Sequence, residues 1–324
     1  HMQKKKIILV GLGHWGKNFK RITESLTDKF EIVALIDSIN RSNDSAPFFS
    51  SIDDFFKSGI EAESAIISTP SKSHYELTKK LIKKNIHCLV EKPFTLSENQ
   101  AIELYAMAEK KDLIILVDHT FLYDSSIQYM IDTIKNGDIG EILHMSFQRS
   151  NLGPIRNDVN SSWDLSTHDV SILLSILEDM PTHYSADGIS LINENIEDIV
   201  NTSLTFNNVF VTMFASWLHP EKTREIKIVG TEKMIVWNGM DTGQEVKIHD
   251  KGFEYNQDRG DLYKNLVSLR SGETFIPNIK MSEPLKEVVL DFYDRLVGKP
   301  SNLLNSKSLT LRIIKVMEEI NKSL

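Results

Sequence analysis

Two groups of side chains in this sequence have the types and the spacing for acid–base chemistry. The first is Glu91-Lys92-Pro93, directly after an apolar run, where a lysine held at the end of a buried strand can polarise a substrate oxygen. The second is Asp164 with His168, four residues apart in a predicted helix. A carboxylate on the same helical face as an imidazole can orient the ring and raise its basicity. Each group is therefore a candidate for general acid–base chemistry.

Each group also has a simpler explanation when it is considered alone. A lone Glu-Lys-Pro is commonly a surface lysine in a turn. An isolated Asp-x-x-x-His pair is commonly a helix-surface interaction without a catalytic role. The residues alone leave both explanations open, so the interpretation depends on the elements that position these side chains.

A glycine-rich turn after the first apolar run predicts a dinucleotide site. The run Ile7–Val10 leads into Gly11-x-Gly13-x-x-Gly16, the spacing that joins the first strand and helix of dinucleotide-binding domains. The first glycine permits the tight turn, the second admits a pyrophosphate, and the third lets helix and strand pack closely. Asp37 ends the next apolar run, 21 residues after Gly16, where an acidic residue binds the ribose hydroxyls of NAD. The alternative is a glycine turn that binds no nucleotide.

Alternating strands and helices in the first third of the chain predict a doubly wound parallel sheet. The strands are short and apolar, as expected of parallel strands buried on both faces. Helices are predicted from Ser73, with Glu76 completing a capping box, and from about Ser97. The predicted strands are Ile7–Val10, Ile32–Ile36, Ala65–Ser68, His87–Val90 and Leu113–Val117. Ligands of such sheets bind beyond the carboxyl ends of the strands, where the segments 68–74, 91–94 and 118–123 lie.

Beyond residue 120 longer, alternating strands predict an α+β domain with a large open, mostly antiparallel sheet. We therefore predict a Rossmann domain over 1–120 and a substrate-binding and oligomerisation domain over 121–324. The outer face of the second sheet needs cover, so we expect a homodimer or homotetramer through it. Hairpins are predicted at Asn207-Asn208 and around Gly230-Thr231, and helices over Ser125–Lys135, 161–177, Glu283–Val297 and Lys307–Leu324.

Composition limits the classes of function open to the chain. Its 324 residues carry a net charge of −8, which argues against a nucleic-acid partner. Cys88 is the only cysteine, so no internal disulfide can form, and its apolar neighbours favour a buried thiol. No stretch approaches the roughly 20 apolar residues of a membrane helix. We expect a cytoplasmic protein without a membrane partner, and we identify no metal site.

These motifs, in this order, resemble the Gfo/Idh/MocA family of NAD(P)-dependent oxidoreductases over nearly the whole chain. The resemblance implies hydride transfer between a sugar carbon and nicotinamide C4. His168 is then the general acid/base, Lys92 polarises the same oxygen, and Asp164 orients His168 or the substrate. The bond before Pro93 is expected to be cis. The implied cofactor-binding residues are Gly11, Gly13, His14, Trp15, Gly16, Asp37, Ser68, Thr69, Pro70, His74, Glu91 and Lys92.

Segments of the second half are similar to the branch of WlbA-type UDP-sugar 3-dehydrogenases. That similarity implies a nucleotide-linked sugar as substrate, such as a UDP-N-acetylhexosamine or its uronate oxidised at C3. Arginine forks suit its phosphate or carboxylate groups, although surface ion pairs are the alternative. After the fifth strand, residues 118–123 depart from the family's Gly-x-x-x-Arg-Phe. The predicted substrate-binding residues are His119, Tyr123, Arg149, Asn151, Arg156, Trp163 and Arg224.

Two other functions compete with the NAD-dependent dehydrogenase. The nearest is an NADPH-dependent sugar ketoreductase of the same family. Asp37 favours NAD because it repels a 2′-phosphate, whereas Arg41, four residues later, can receive one. The other is a non-catalytic sensor of dinucleotide or sugar. The presence of Lys92, Asp164 and His168 together argues against a sensor.

Overall fold

The computed structural model describes residues 4–39, 44–255 and 267–324, and the chain divides into two compact units. One unit comprises His1–Tyr123 with Ser282–Glu318, and the other Asp124–Met281 with Glu319–Leu324. The sequence predicted a division after residue 120 and a single second domain that included residues 282–318. Residues 282–318 instead group with the N-terminal unit.

Six parallel strands form the sheet of the N-terminal unit. They are β1 (Lys5–Val10), β2 (Phe30–Ile36), β3 (Phe48–Phe49), β4 (Ser64–Ile67), β5 (His87–Glu91) and β6 (Ile115–Asp118). Their order is β3-β2-β1-β4-β5-β6, so the direction of winding reverses between β1 and β4. This order is that of a Rossmann fold, whose ligands bind at the reversal point. The doubly wound sheet and all five predicted strands are confirmed, and only the two-residue edge strand β3 was not predicted.

Helices of this unit follow its strands. They are α1 (His14–Ser25), α2 (Ile52–Lys57), α3 (His74–Lys83) and α4 (Glu98–Glu109). Ser97 caps α4 by accepting a hydrogen bond from the Gln100 amide. The capping box predicted at Ser73 is wrong, because this residue has helical backbone angles (φ −89°, ψ −13°) at the end of a preceding 3-10 turn. Its hydroxyl instead bonds to Thr69 Oγ1 and to the Pro70 carbonyl, each at 2.6 Å.

The second unit contains an eight-stranded sheet and two helices. Its helices are α5 (Ser125–Lys135), as predicted, and α6 (Thr167–Ile176), which follows a π-helical turn over Ser162–Ser166. Its strands are β7 (Ile142–Leu152), β8 (His183–Ile189), β9 (Ile199–Phe206), β10 (Val209–Ser216), β11 (Leu218–Gly230), β12 (Met234–Asn238), β13 (Val246–Tyr255) and β14 (Val267–Phe275). The order is β14-β13-β12-β11-β7-β10-β9-β8, antiparallel except between β7 and β10. The mostly antiparallel sheet and both predicted hairpins are therefore confirmed.

Two further helices, α7 (Pro284–Leu296) and α8 (Lys307–Lys322), occupy the segments predicted to be helical. The apolar face of α7 is fully buried at Val288 and Phe292. The Tyr293 ring meets the Phe30 ring of β2 edge-on, with 5.5 Å between centroids. This burial against the parallel sheet explains why residues 282–318 belong to the N-terminal unit. Amphipathic spacing predicts a helix but does not specify which sheet it covers.

Two further observations concern membrane spans and Cys88. Within the described residues, no helix is both long and apolar enough to cross a membrane. Cys88 is fully buried in β5, and burial raises the pKa of its thiol. The thiolate that a nucleophilic cysteine requires is therefore disfavoured at this position.

Candidate functional site

The glycine loop after β1 has three glycines with different physical roles. Gly11 has φ +94°, and a Cβ added there would lie 2.7 Å from the Ser68 carbonyl oxygen. A Cβ added at Gly16 would lie 2.1 Å from the Gly11 oxygen, so helix and strand approach too closely for a side chain. Gly13, by contrast, faces open space, with no atom within 4 Å of an added Cβ. Packing does not require glycine at this position, whereas the close approach of a pyrophosphate does.

Asp37 lies at the carboxyl end of β2, and its carboxylate is held by the loop. One oxygen accepts from the Leu12 amide at 2.6 Å, and the other from the Ile39 amide at 3.0 Å. These bonds fix the acidic group beside the glycine loop, as a ribose ligand requires. His14 and Trp15 begin α1, and the indole is 49% exposed. The predicted phosphate ligand Arg41 lies outside the described residues.

Gly13→Val is expected to weaken NADH binding by at least about tenfold, equivalent to about 1.4 kcal/mol. The added side chain would occupy the open space beside the backbone that the pyrophosphate must approach. Stability should fall by only about 1 kcal/mol, because valine is a poorer helix N-cap than glycine. Titration of tryptophan fluorescence with NADH and urea unfolding measure the two effects separately.

Gly16→Val is the matched control for that experiment. Its side chain would clash with the Gly11 backbone, so it should lose much more stability than Gly13→Val. Unchanged NADH affinity in a folded Gly13→Val protein would contradict the assignment of this loop to the cofactor.

A buried histidine connects the loops that follow β4 and β5. The bond between Lys92 and Pro93 is cis, as predicted. His74 is 1% exposed, with Nδ1 2.8 Å from the Pro93 carbonyl oxygen and Nε2 2.8 Å from the Thr69 carbonyl oxygen. Both contacts are to backbone, so the imidazole holds the position of the Lys92 loop. The adjacent Ser68 hydroxyl donates to the Gly11 carbonyl at 3.1 Å and so attaches this region to the glycine loop.

The segment after β6 packs against the C-terminal helices of the same unit. His119 is 3% exposed, and its Nε2 lies 3.0 Å from the Thr310 hydroxyl. Burial lowers the pKa of His119 to about 3, so the ring is neutral. Tyr123 is equally buried, with its hydroxyl bonded to Asp291 at 2.5 Å and to Asn305 at 3.0 Å. These contacts favour a packing role for both side chains over the substrate contact that the sequence predicted.

In the second unit Asp164 is held from two sides. Its Oδ1 accepts from Arg156 at 3.1 Å, and its Oδ2 from the Trp217 indole at 2.8 Å. Arg156 is also bonded through two nitrogens to Asp158, at 2.9 and 2.7 Å. Asp164 is therefore rigidly oriented, and Arg156 is part of its support. The role of Arg156 as an oxyanion ligand stays a prediction.

The helix predicted over 161–177 is confirmed, but it begins with a π-helical turn that the sequence did not predict. Asp164 lies in the π-helical turn, while half-buried His168 lies in the first turn of α6. A π turn closes bonds from i to i+5, and the pairing of Asp164 with His168 stays a prediction. Trp163 is 8% exposed in the same turn, with its backbone amide bonded to Asn160. Such π turns occur frequently at functional sites.

Positive charge is concentrated where β7 and β11 pair. Arg149 and Arg224 are directly opposite each other in the register. Arg149 is 4% exposed and bonds to Asp169 Oδ1 through Nε at 3.2 Å and Nη2 at 2.8 Å. Burial and Arg149 lower the pKa of Arg224, and Arg224 is the main cause of a lowered pKa at Lys222. This arginine cluster of Arg149, Lys222, Arg224 and Asp169 has more cations than anions and is suited to bind an anion.

Two more polar residues, Asn151 and Lys222, lie in the paired strands β7 and β11. Lys222 was not predicted as a site residue. It lies two residues before Arg224, and alternate residues of a strand share one face. Asn151 is half-buried in β7, two residues after Arg149. Among the described residues, no group of three or more His, Cys, Asp or Glu is arranged to hold a metal ion.

Two family models match this chain. One, described as the oxidoreductase family with an NAD-binding Rossmann fold, matches residues 5–119. The other, described as the GFO/IDH/MocA C-terminal domain, matches residues 127–236. The chain therefore belongs to the Gfo/Idh/MocA family of oxidoreductases, and its N-terminal unit contains an NAD-binding Rossmann domain.

Relatives include a UDP-N-acetylglucosamine 3-dehydrogenase from Acidithiobacillus ferrooxidans, 27% identical over 172 residues. That match covers 52% of this chain and 53% of the relative, so it spans about half of the relative's length. Its solved structure aligns with 100% of this chain and 98% of its own, with a TM-score of 0.79 and 18% identity. The WlbA dehydrogenase of Bordetella pertussis, in complex with NADH and UDP-GlcNAcA, aligns over 99% and 96%, with a TM-score of 0.79 and 16% identity. These two structures share the fold of this chain.

Proposed function

We propose that this protein is an NAD-dependent dehydrogenase acting at C3 of a nucleotide-linked sugar, such as a UDP-N-acetylhexosamine or its uronate. The arginine cluster is the observation that carries the substrate class. Three cations accompany two carboxylates there, Asp169 and Asp124, and two guanidinium groups lie opposite each other. Like charges in that arrangement are costly unless an anion lies with them. A phosphate group or a uronate carboxylate provides that charge, in keeping with the nucleotide sugars named for the two relatives.

The proposal gives three side chains a role at the reacting hydroxyl. When bound, NAD supplies a hydride acceptor at nicotinamide C4. His168 removes the hydroxyl proton, Lys92 polarises the oxygen as it becomes a carbonyl, and the hydroxyl-bearing carbon gives up its hydride, leaving a ketone. Asp164, oriented by Arg156 and Trp217, fixes His168 or the substrate. In the reverse direction His168 returns the proton.

Cofactor choice depends on Asp37 in this proposal. Its carboxylate is fixed by two backbone amides and would repel the 2′-phosphate of NADP. Asp37→Ser is expected to lower the preference for NADH over NADPH by roughly tenfold, which corresponds to about 1.4 kcal/mol. Fluorescence titration with each reduced cofactor measures the ratio of the two Kd values. A wild-type protein that binds NADPH more tightly than NADH would support the ketoreductase instead.

Turnover with defined sugars tests the activity. Purified protein is mixed with NAD and either UDP-N-acetylglucosamine or its uronate, and absorbance of reduced nicotinamide is followed. A 3-keto product, identified by mass spectrometry, is expected from at least one sugar. His168→Ala should bind both ligands without turning over. Tight binding without turnover in the wild-type protein would indicate a sensor.

Assembly is proposed through the sheet of the second unit. Alternate residues of β10 are buried, whereas Phe210 is 48% exposed and stacks on His144 of β7 with 6.0 Å between rings. This side of the sheet therefore exposes an aromatic side chain that a second copy would cover. Sedimentation should show a dimer or tetramer, and Phe210→Glu should shift it towards monomer.

A further inference from the structure

Glu91 and Asp118 form a buried carboxyl pair at the ends of β5 and β6. These strands are parallel neighbours, and the two residues are opposite each other in the register. Asp118 is fully buried and Glu91 is 8% exposed. Register and burial bring their carboxyl groups together, and each carboxyl group perturbs the pKa of the other. Glu91 directly precedes Lys92 in the chain, and its Oε2 accepts from the Lys92 amide at 2.9 Å.

The hydrogen bonds around the pair are compatible with one proton shared between the two carboxyl groups. Asp118 Oδ1 accepts from the Thr120 hydroxyl at 2.6 Å. Asp118 Oδ2 is buried, and no group among the described residues donates to it. Two ionised carboxylates so close in a buried site would repel each other, whereas one proton turns the repulsion into a hydrogen bond. Burial raises the pKa of both groups, and Asp118 raises that of Glu91 further.

We propose that Glu91 and Asp118 share one proton at neutral pH, and that Asp118 is thereby a positioning residue for Lys92. The charged group that acts on both members of the pair is Lys92, and His119, next to Asp118 in the chain, is neutral. The singly protonated pair carries one negative charge, which balances the Lys92 ammonium. A second negative charge would draw the ammonium towards the pair. The catalytic consequence rests on the proposed function of Lys92, but the shared proton does not.

The shared proton is tested first in the protein without ligands. Carboxyl carbons labelled with 13C report protonation directly by NMR, and infrared difference spectra report the carbonyl stretch of a neutral carboxyl. At pH 7 the wild-type protein should show a protonated side-chain carboxyl that disappears in both Glu91→Gln and Asp118→Asn. Asp53→Asn, an exposed position, should leave that signal in place. A folded wild-type protein with no protonated carboxyl at pH 7 would overturn the proposal.

Unfolding at different pH values gives a second, independent readout. The folded pair keeps a proton that the unfolded chain releases above its ordinary carboxyl pKa. Stability that the pair contributes at low pH is therefore lost as pH rises towards the raised folded pKa. The urea midpoint of wild-type protein should fall more between about pH 5 and about pH 8 than that of Asp118→Asn, which has an amide in place of one acid. Equal slopes would argue against a shared proton.

The pH profile of turnover tests the positioning role. In the double variant Glu91→Gln/Asp118→Asn the alkaline limb of the kcat profile should move by about one pH unit or more, because the single negative charge beside the Lys92 ammonium is lost, whereas Asp118→Asn alone keeps that charge on Glu91. A residue with only a packing role would lower kcat without moving that limb, and this outcome would overturn the positioning assignment. Absence of turnover in the wild-type protein would refute the proposed function while leaving the NMR and unfolding results to decide on the proton.

Discussion

Lys92→Met is expected to lower kcat for sugar oxidation by about 10²–10⁴-fold, the usual contribution of a positioned acid–base group. Methionine keeps a straight apolar stem but removes the ammonium that would polarise the reacting oxygen. The loop itself should persist, because His74 holds it through the Pro93 and Thr69 carbonyl groups. NADH affinity should therefore change little. Steady-state kinetics and a fluorescence titration on the same preparation separate the two quantities.

The matched control is Lys72→Met, an exposed lysine in the turn before α3. It removes the same charge from a neighbouring loop and should leave kcat unchanged. If both variants keep kcat within about twofold of wild type, Lys92 has no part in chemistry. If Lys92→Met loses NADH binding in parallel with turnover, the side chain serves the cofactor instead.

Arg149→Met is expected to destabilise the second unit by about 3–5 kcal/mol. Asp169 is 1% exposed, and Arg149 bonds to its Oδ1 through two nitrogens. Its other oxygen is already without a donor among the described residues. Burial raises the pKa of Asp169 even with Arg149 present. Without Arg149 the carboxylate must remain charged and unpaired or take up a proton, so the loss should grow as pH rises from about 4 to 7. Urea unfolding at several pH values measures this loss of stability.

Two further variants distinguish a structural role of Arg149 from a substrate-binding role. Combining Arg149→Met with Asp169→Leu removes the buried charge as well and should recover much of the lost stability. Arg224→Met should cost less than about 1 kcal/mol, since it relieves repulsion with Arg149, but it should weaken nucleotide-sugar binding. If Arg149→Met instead keeps full stability and loses only sugar affinity, then Arg149 is a substrate ligand and not a structural ion pair.

The parallel sheet was predictable because its signals are local. Apolar runs with Val and Ile, separated by capped helices, specify parallel strands, and the glycine spacing specifies the first turn. The cis bond before Pro93 followed from the family resemblance. The Ser73 capping box failed because a serine three residues before a glutamate also fits a 3-10 turn, and only backbone angles distinguish the two.

The missing parts of the candidate site depend on contacts between distant segments. Neither the burial of His119 against Thr310 nor the bond from Tyr123 to Asp291 can be read from neighbours in the sequence. The opposition of Arg149 and Arg224 depends on the register of two strands that are far apart in the chain. Motifs therefore predicted candidate residues without showing which of their side chains are accessible.

The return of α7 and α8 to the N-terminal unit has a consequence for biosynthesis. Phe30 and Tyr123, from the first 123 residues, are covered by side chains of residues 282–318. A ribosome must translate most of the polypeptide before these surfaces can be covered. The nascent Rossmann segment therefore exposes apolar surface while the second unit is being made, a situation in which chaperones are commonly needed. A fragment ending near residue 123 should consequently be far less soluble than one to which residues 282–318 are joined.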